Sequence, residues 1–341
     1  MPRHIARWDL DKTYLRTEFD TLRDLVRTAL ERPDEKRTNP GAATLLREMV
    51  RAGVSVHILS GSPEQMRRRL EDKLRLDGIK WDSFTLKPNL TNVLRLRFRA
   101  LRDQLGYKLP ALLEARLAAT PPAPDEAGVR RETLFGDDAE ADAYVYSLYA
   151  DVLGGRVDEA TLAAICERGR MYDDVLEHTL DLARRLPRED PVERVLIHLE
   201  QQTPPDDFLV YGRRAVPFYN YLQAAFVVHE DGRIPAEAVL RVAVELVVQH
   251  RFDGDALAKS YRDLARRGHL RGSGAEALAE ALEDWTHHER VPGAVELRRM
   301  VERLPELATQ ARESFRDEQR QAPIDYLAMV GAHNPRRHKR K

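Results

Sequence analysis

The sequence predicts an α/β fold, a parallel sheet flanked by helices and followed by an all-α region. Two observations predict it. Up to about residue 155, short apolar runs alternate with helix-period segments across short connections, the signature of a parallel sheet with crossover helices. Beyond about residue 157 the alternation stops and helical periodicity alone continues to about residue 321.

The elements follow in order. Residues 4–10 read as a strand and 14–31 as a helix. PGAATLLREMVRAG (40–53) is a helix with Pro before it and Gly at its end. SVHILSG (55–61) and IKWDSFTLK (79–87) read as strands. TNVLRLRFRALRDQLG is a basic amphipathic helix ending at Gly106, and LPALLEARLAA is a second helix that begins beside Lys108. TPPAPDEAG (120–128) is a loop, RRETLFGD (130–137) a strand, and AEADAYVYSLYADVLGG a helix stopped by Gly154 and Gly155. The segments DEATLAAICERG, DDVLEHTLDLARRL, PVERVLIHLEQQ, VPFYNYLQAAFVV, PAEAVLRVAVELVVQH, GDALAKSYRDLARRG, GAEALAEALEDWTHH and PGAVELRRMVERL then all read as helices. AEAVLRVAVEL and AEALAEALEDW are loosely alike, as in a helical repeat. Three regions result: 1–157 with the sheet, 158–321 as an all-α accessory domain, and 322–341 as a C-terminal segment with a basic tail.

Bulk composition narrows the class. The chain has 341 residues, 43% hydrophobic and 33% charged, which suits a folded core and not a disordered chain. A net charge of -1 gives no overall field to draw nucleic acid or a membrane surface. Cys166, the one cysteine, excludes an internal disulfide and fits a reducing compartment. MPRHIARWD has no apolar signal-peptide core, and the apolar runs are too short to span a bilayer. The expectation is a cytoplasmic protein.

The chemistry concentrates where predicted strands end. RWDLDKTYLR places Asp9 and Asp11 one residue apart, although neighbouring carboxylates raise each other's cost of ionisation. Ser60 follows VHIL. Asp137, Asp138 and Asp142 follow TLFG. In parallel sheets, ligands bind at the carboxyl ends of the strands. A cation would remove the repulsion between such carboxylates.

D-L-D-K-T, L-S-G-S-P, a helix-initiating lysine and G-D-D-A-E-A-D, in that order, resemble the four motifs of the haloacid dehalogenase-like superfamily of phosphohydrolases. The resemblance spans roughly residues 4–155 and implies a HAD-like Rossmannoid sheet. It implies a Mg²⁺-dependent phosphatase in which Asp9 forms an aspartyl-phosphate and Asp11 is the general acid and base. Thr13 would support the loop. Ser60 would hydrogen-bond the phosphoryl group and Lys108 would neutralise charge. Asp9, Asp11, Asp137 and Asp138 or Asp142 would form the metal site, with Gly61 and Lys87 also facing substrate. Lys87 rivals Lys108 for the phosphate-site lysine. The D-K-T at 11–13 also occurs in the D-K-T-G-T of P-type ATPases, but Tyr14 and Leu15 stand where that motif needs Gly and Thr.

SGSP and GDDAEAD further resemble the catalytic domain of actin-patch-type phosphatidate phosphatases and, more distantly, lipins. There the motifs read D-x-D-D-T and G-D-S-G-E-x-D. Lys12 replaces the third Asp and Asp138-Ala139 replace Ser-Gly, which loosens the implied lipid substrate. Ser62, Pro63 and Gln65 fit a helix cap, so Ser62 reads as structural. His178, His198 and Cys166 read as ordinary helix residues, and His287 and His288 as a solvated helix end. About 47 residues separate Thr13 from Ser60 and about 48 separate Ser60 from Lys108, too few for a large inserted cap. Capless members of the superfamily often act on large or membrane-borne phosphates. Two alternatives accompany this reading. One is a phosphate-sensing scaffold that binds a protein through the helical region. The other is a polynucleotide-end phosphatase, suggested by the basic tail alone.

Overall fold

A computed structural model describes residues 3–16, 36–87, 101–119, 128–315 and 322–333. Its centre is a six-stranded sheet in which every neighbouring pair is parallel. The strands are β1 (Ile5–Trp8), β2 (Ser55–Pro63), β3 (Ser83–Lys87), β4 (Glu132–Asp137), β5 (Val192–His198) and β6 (Ala215–Phe218). Their spatial order is β3-β2-β1-β4-β5-β6. The order reverses between β1 and β4, which is where open α/β sheets form a crevice.

All four residues of β1 and all six of β4 are buried, because both faces of the sheet are covered. On one face lie α1 (Ala42–Arg51), α2 (Arg67–Leu76), α7 (Tyr221–Glu230), α8 (Ala236–His250), α9 (Gly254–Arg266), α10 (Ala275–His288) and α11 (Ala294–Ser314), sharing one core with Trp8, Ile58 and Phe218. The other face carries α3 (Leu101–Ala118), α4 (Asp142–Leu153), α5 (Glu159–Arg168), α6 (Asp173–Arg185) and α12 (Tyr326–His333), packed with Leu134, Val195 and Ile197. Among the described residues, no helix is long and apolar enough to cross a membrane.

Three expectations change. PVERVLIH is strand β5 and AVPF is strand β6, not helices. Val192, Val195 and Ile197 are strand formers, and burial on both faces makes such a strand a continuous apolar run that periodicity cannot tell from a short helix. The boundary expected at residue 157 therefore separates β1–β4 from β5 and β6 of one sheet, and helices α7 to α11 share its core instead of forming a separate accessory body. Finally, Gly106 does not end a helix. Leu101–Ala118 is continuous through Gly106 and Pro110, so Lys108 lies inside α3 and not at a helix start. The expected helix 14–31 falls mostly outside the described residues, as does 91–100 of the basic helix.

Candidate functional site

The site is built on the turn after β1. The Asp9 amide donates to the Phe135 carbonyl at 3.0 Å, carrying the β1–β4 ladder one residue past the strand. The chain then turns, with Tyr14 and Leu15 both donating to the Leu10 carbonyl at 3.0 and 2.8 Å. Lys12 adopts φ 61, a left-handed conformation costing a non-glycine residue about 1 kcal/mol or more. Three side chains hold it there. Asn39 donates to the carbonyls of Lys12 and Thr13 at 3.0 and 2.7 Å, His198 Nδ1 meets the Lys12 carbonyl at 3.1 Å, and the Tyr221 hydroxyl donates to the Thr13 carbonyl. Beneath the turn, Trp8 stacks on Phe135 with ring centroids 3.9 Å apart and faces Tyr221 at 5.8 Å.

Asp9, Asp137 and Asp142 converge across the β1/β4 crevice, each presenting a carboxylate oxygen within 4.8 Å of the others. All three are buried. Asp137 Oδ1 accepts the amides of Ala139 and Glu140 at 2.7 and 3.1 Å, and its Oδ2 accepts the Thr13 hydroxyl at 3.3 Å. Asp142 Oδ2 accepts the Asp137 amide at 3.2 Å. The approach requires Gly136, since a Cβ there would lie 2.6 Å from Asp142 Cβ and 2.8 Å from its Cγ. Lys108 supplies the positive charge. Its Nζ lies 3.3 Å from Asp9 Oδ2 and 3.0 Å from Glu140 Oε2, and it also donates to Asp142 Oδ1.

One lysine does not balance this cluster. Burial first, then the charges of Asp142, Glu140 and Asp137 acting against Lys108, push the Asp9 carboxyl well above the usual range. Burial and the neighbouring acids likewise raise Asp137, and Asp142 is pushed up to about 6. Among the described residues, Asp9 Oδ1 is buried with no hydrogen-bond partner. An oxygen-rich donor set with excess negative charge and an orphaned carboxylate oxygen fits a hard divalent cation.

Asp11 sits apart from this triad. Its Oδ2 accepts the hydroxyls of Ser60 at 3.0 Å and Ser62 at 2.7 Å. The Ser62 amide donates to Ser60 Oγ at 3.0 Å, which leaves the Ser60 hydrogen aimed at Asp11. Burial pushes the Asp11 carboxyl up, against those hydroxyls and the charge of the buried Lys36.

No family model, curated protein or solved structure matches this chain. The site is therefore read from its own geometry.

Asp9, Asp137, Asp142, Lys108 and Thr13 come together as expected, with Asp11 and Ser60 beside them. Lys87 ends β3 with its Nζ 5.8 Å from the Tyr107 ring centre, and the Tyr107 hydroxyl donates to the Ser60 carbonyl at 2.8 Å. It is Lys108 that touches Asp9. Gly61 lies in β2, with open space within 4 Å of where a Cβ would be. Asp138 is a correction. Both its carboxylate oxygens accept backbone amides of the loop after β5, Gln201 at 2.8 Å and Thr203 at 3.0 Å, so it ties that loop down instead of joining the acidic cluster. Asp138→Ala is expected to cost about 1–3 kcal/mol of stability in urea melts. Ser62 is a second correction, since it caps no helix and binds Asp11.

Sequence reading missed the roles of Glu140, Lys36, Asn39, His198 and Tyr221. His198 had a usable signal. Read as a strand, VERVLIH ends at His198, in register with Asp137. Cys166 is buried in α5 and its thiol is pushed up to about 12, which leaves it unreactive.

Proposed function

We propose that this chain is a Mg²⁺-dependent phosphomonoester hydrolase working through an aspartyl-phosphate on Asp9, as its resemblance to haloacid dehalogenase-like phosphatases implies. One observation carries the reading. Among the described residues, the buried Asp9 carboxylate keeps one oxygen on Lys108 and one oxygen without a partner, in a cluster of acids whose charge Lys108 does not offset. Phosphoryl transfer needs this kind of positioning and charge neutralisation.

Asp9, Asp137 and Asp142 would hold Mg²⁺, which when bound supplies neutralisation of the phosphoryl oxygens. The remaining work falls to the chain. An Asp9 oxygen forms a bond to phosphorus as the ester P–O bond breaks, and Asp11 gives its proton to the departing oxygen. Burial favours a protonated Asp11. With Oδ2 accepting two seryl hydroxyls, the proton belongs on Oδ1. Water then attacks the phosphorus of the acyl phosphate, giving its proton to the Asp11 carboxylate. Inorganic phosphate leaves and Asp9 is restored. Lys108 stabilises negative charge at Asp9 throughout.

The substrate class remains part of the proposal, with a large or lipid phosphate as the first candidate. The test is phosphate release from a generic aryl phosphate and a panel of lipid, nucleotide and sugar phosphates, with Mg²⁺ or with chelator. Turnover that requires Mg²⁺ is expected. Mg²⁺ binding without turnover on any substrate would overturn the hydrolase and favour a phosphate-sensing role.

A further inference from the structure

At the sheet edge opposite Asp9, the starts of β4, β5 and β6 open into a cleft of about 400 Å³. Arg131, Arg194, Arg213, Arg214, Arg233 and Arg271 line it, along with four acids. Glu230 is taken by backbone, accepting the amides of Arg271 and Gly272. The other three serve the arginines. Asp190 accepts from Arg214 at 3.0 Å and from Arg156, outside the cleft, at 3.1 and 3.2 Å, while its carbonyl accepts from Arg131 at 2.9 Å; Glu193 accepts from Arg233 at 2.6 and 2.7 Å, with Arg131 3.9 Å away. Asp231 accepts from Arg194 at 2.8 and 3.0 Å and from Arg271 at 2.9 Å. Arg213 donates to the Gly268 carbonyl and lies over the Phe315 ring at 5.0 Å, with Arg271 at 5.6 Å from the same ring.

Six guanidiniums thus crowd a concave space around four carboxylates among the described residues, an excess of positive charge. Each guanidinium offers five donors in a fork that matches phosphate oxygens bidentately. Two flanking histidines sense the resulting field. Burial, then the charges of Arg267, Arg194 and Arg213, push His269 down to about 3. His4 is pushed to about 3 by burial and then by Arg233. Both are neutral at pH 7, so neither adds to the repulsion.

We propose that this cleft binds a compact, multiply charged phosphate anion of the size of pyrophosphate, at a site separate from the Asp9 centre and independent of the hydrolase reading. The volume is near the lower end for small-molecule sites, which favours a compact ligand. The test titrates inorganic pyrophosphate into the full chain by calorimetry, with EDTA present so that the Asp9 centre carries no divalent cation. One saturable site is expected, retained in Asp9→Asn and weakened at least tenfold in the double variant Arg131→Gln, Arg213→Gln. A readout that needs no variant accompanies it, since bound pyrophosphate should protect Arg131 and Arg213 of the wild-type protein from phenylglyoxal, mapped by mass spectrometry. Absence of both saturable heat and protection, or binding that survives the double variant, would overturn the proposal and leave the arginines as an ion-pair network alone.

Discussion

On the proposed mechanism, Asp9→Asn should abolish Mg²⁺-dependent phosphate release while making the metal-free protein more stable at neutral pH. Loss of a nucleophile typically lowers turnover by on the order of 10⁴-fold or more, because the chemical step loses its bond-forming atom. The gain in stability follows from the same carboxylate. Its folded pKa is raised above the ordinary 3.8 by burial and by Asp142, Glu140 and Asp137. Below that value the carboxyl is protonated in both states and costs nothing. As pH rises through it, the unfolded chain ionises first and the native state loses relative stability. Asparagine removes this cost. Its amide can donate to the neighbouring carboxylates, and its carbonyl can keep the Lys108 contact. Chelator-treated thermal melts should therefore show the variant above wild type at pH 7 and level with it near pH 3. Added Mg²⁺ should raise the wild type and do little for the variant. Residual turnover near the wild-type rate, or a variant that melts lower at every pH, would remove Asp9 from the centre of the site. The conflict between stability and activity at this residue is what a site holding unbalanced charge for a ligand should show.

Most of the site was legible because its acids sit where backbone geometry leaves little choice. A strand that ends in D-L-D-K-T places Asp9 at the sheet edge, and G-D-D-A-E-A-D returns Asp142 to it through a glycine with no Cβ to block the way. What the sequence hid were contacts from distant segments. Asn39, His198 and Tyr221 hold the strained turn, but each does so through a hydrogen bond to backbone carbonyl, which demands no recognisable motif. Two of the three belong to residues read as a separate helical domain. That error had a physical source, since a strand buried on both faces loses the alternation that identifies a strand. The Asp138 error differs in kind. Adjacent aspartates on a tight turn point in different directions, and only the position of the β5 loop shows that Asp138 binds amides.

The second large effect lies beneath the site, at the other end of the same strands. Glu132 begins β4 fully buried, and its carboxylate accepts four donors. Arg7 supplies two, at 2.9 and 2.8 Å, Arg116 one at 3.2 Å, and the Tyr149 hydroxyl one at 2.9 Å. Against the upward push of burial, Arg7 and Arg116 hold this carboxyl down at about 2. The partners come from β1, α3 and α4, the elements that carry Asp9, Lys108 and Asp142 to the opposite edge. Glu132→Gln keeps the shape but leaves the buried Arg7 without its counter-charge. Breaking a buried pair in this way costs about 3–5 kcal/mol, enough to unfold a marginal protein. The pH dependence has the opposite sign to that of Asp9. A carboxyl with a depressed folded pKa contributes its full stability above the ordinary 4.5 and loses it as pH falls toward 2. Urea unfolding of wild type and Glu132→Gln should thus differ most at neutral pH and converge in acid. A cost below about 1 kcal/mol at pH 7 would mean that the network is incidental. A full cost, with residual Mg²⁺ affinity impaired in the folded fraction, would mean that it sets the spacing of β1 and β4 on which the three carboxylates depend.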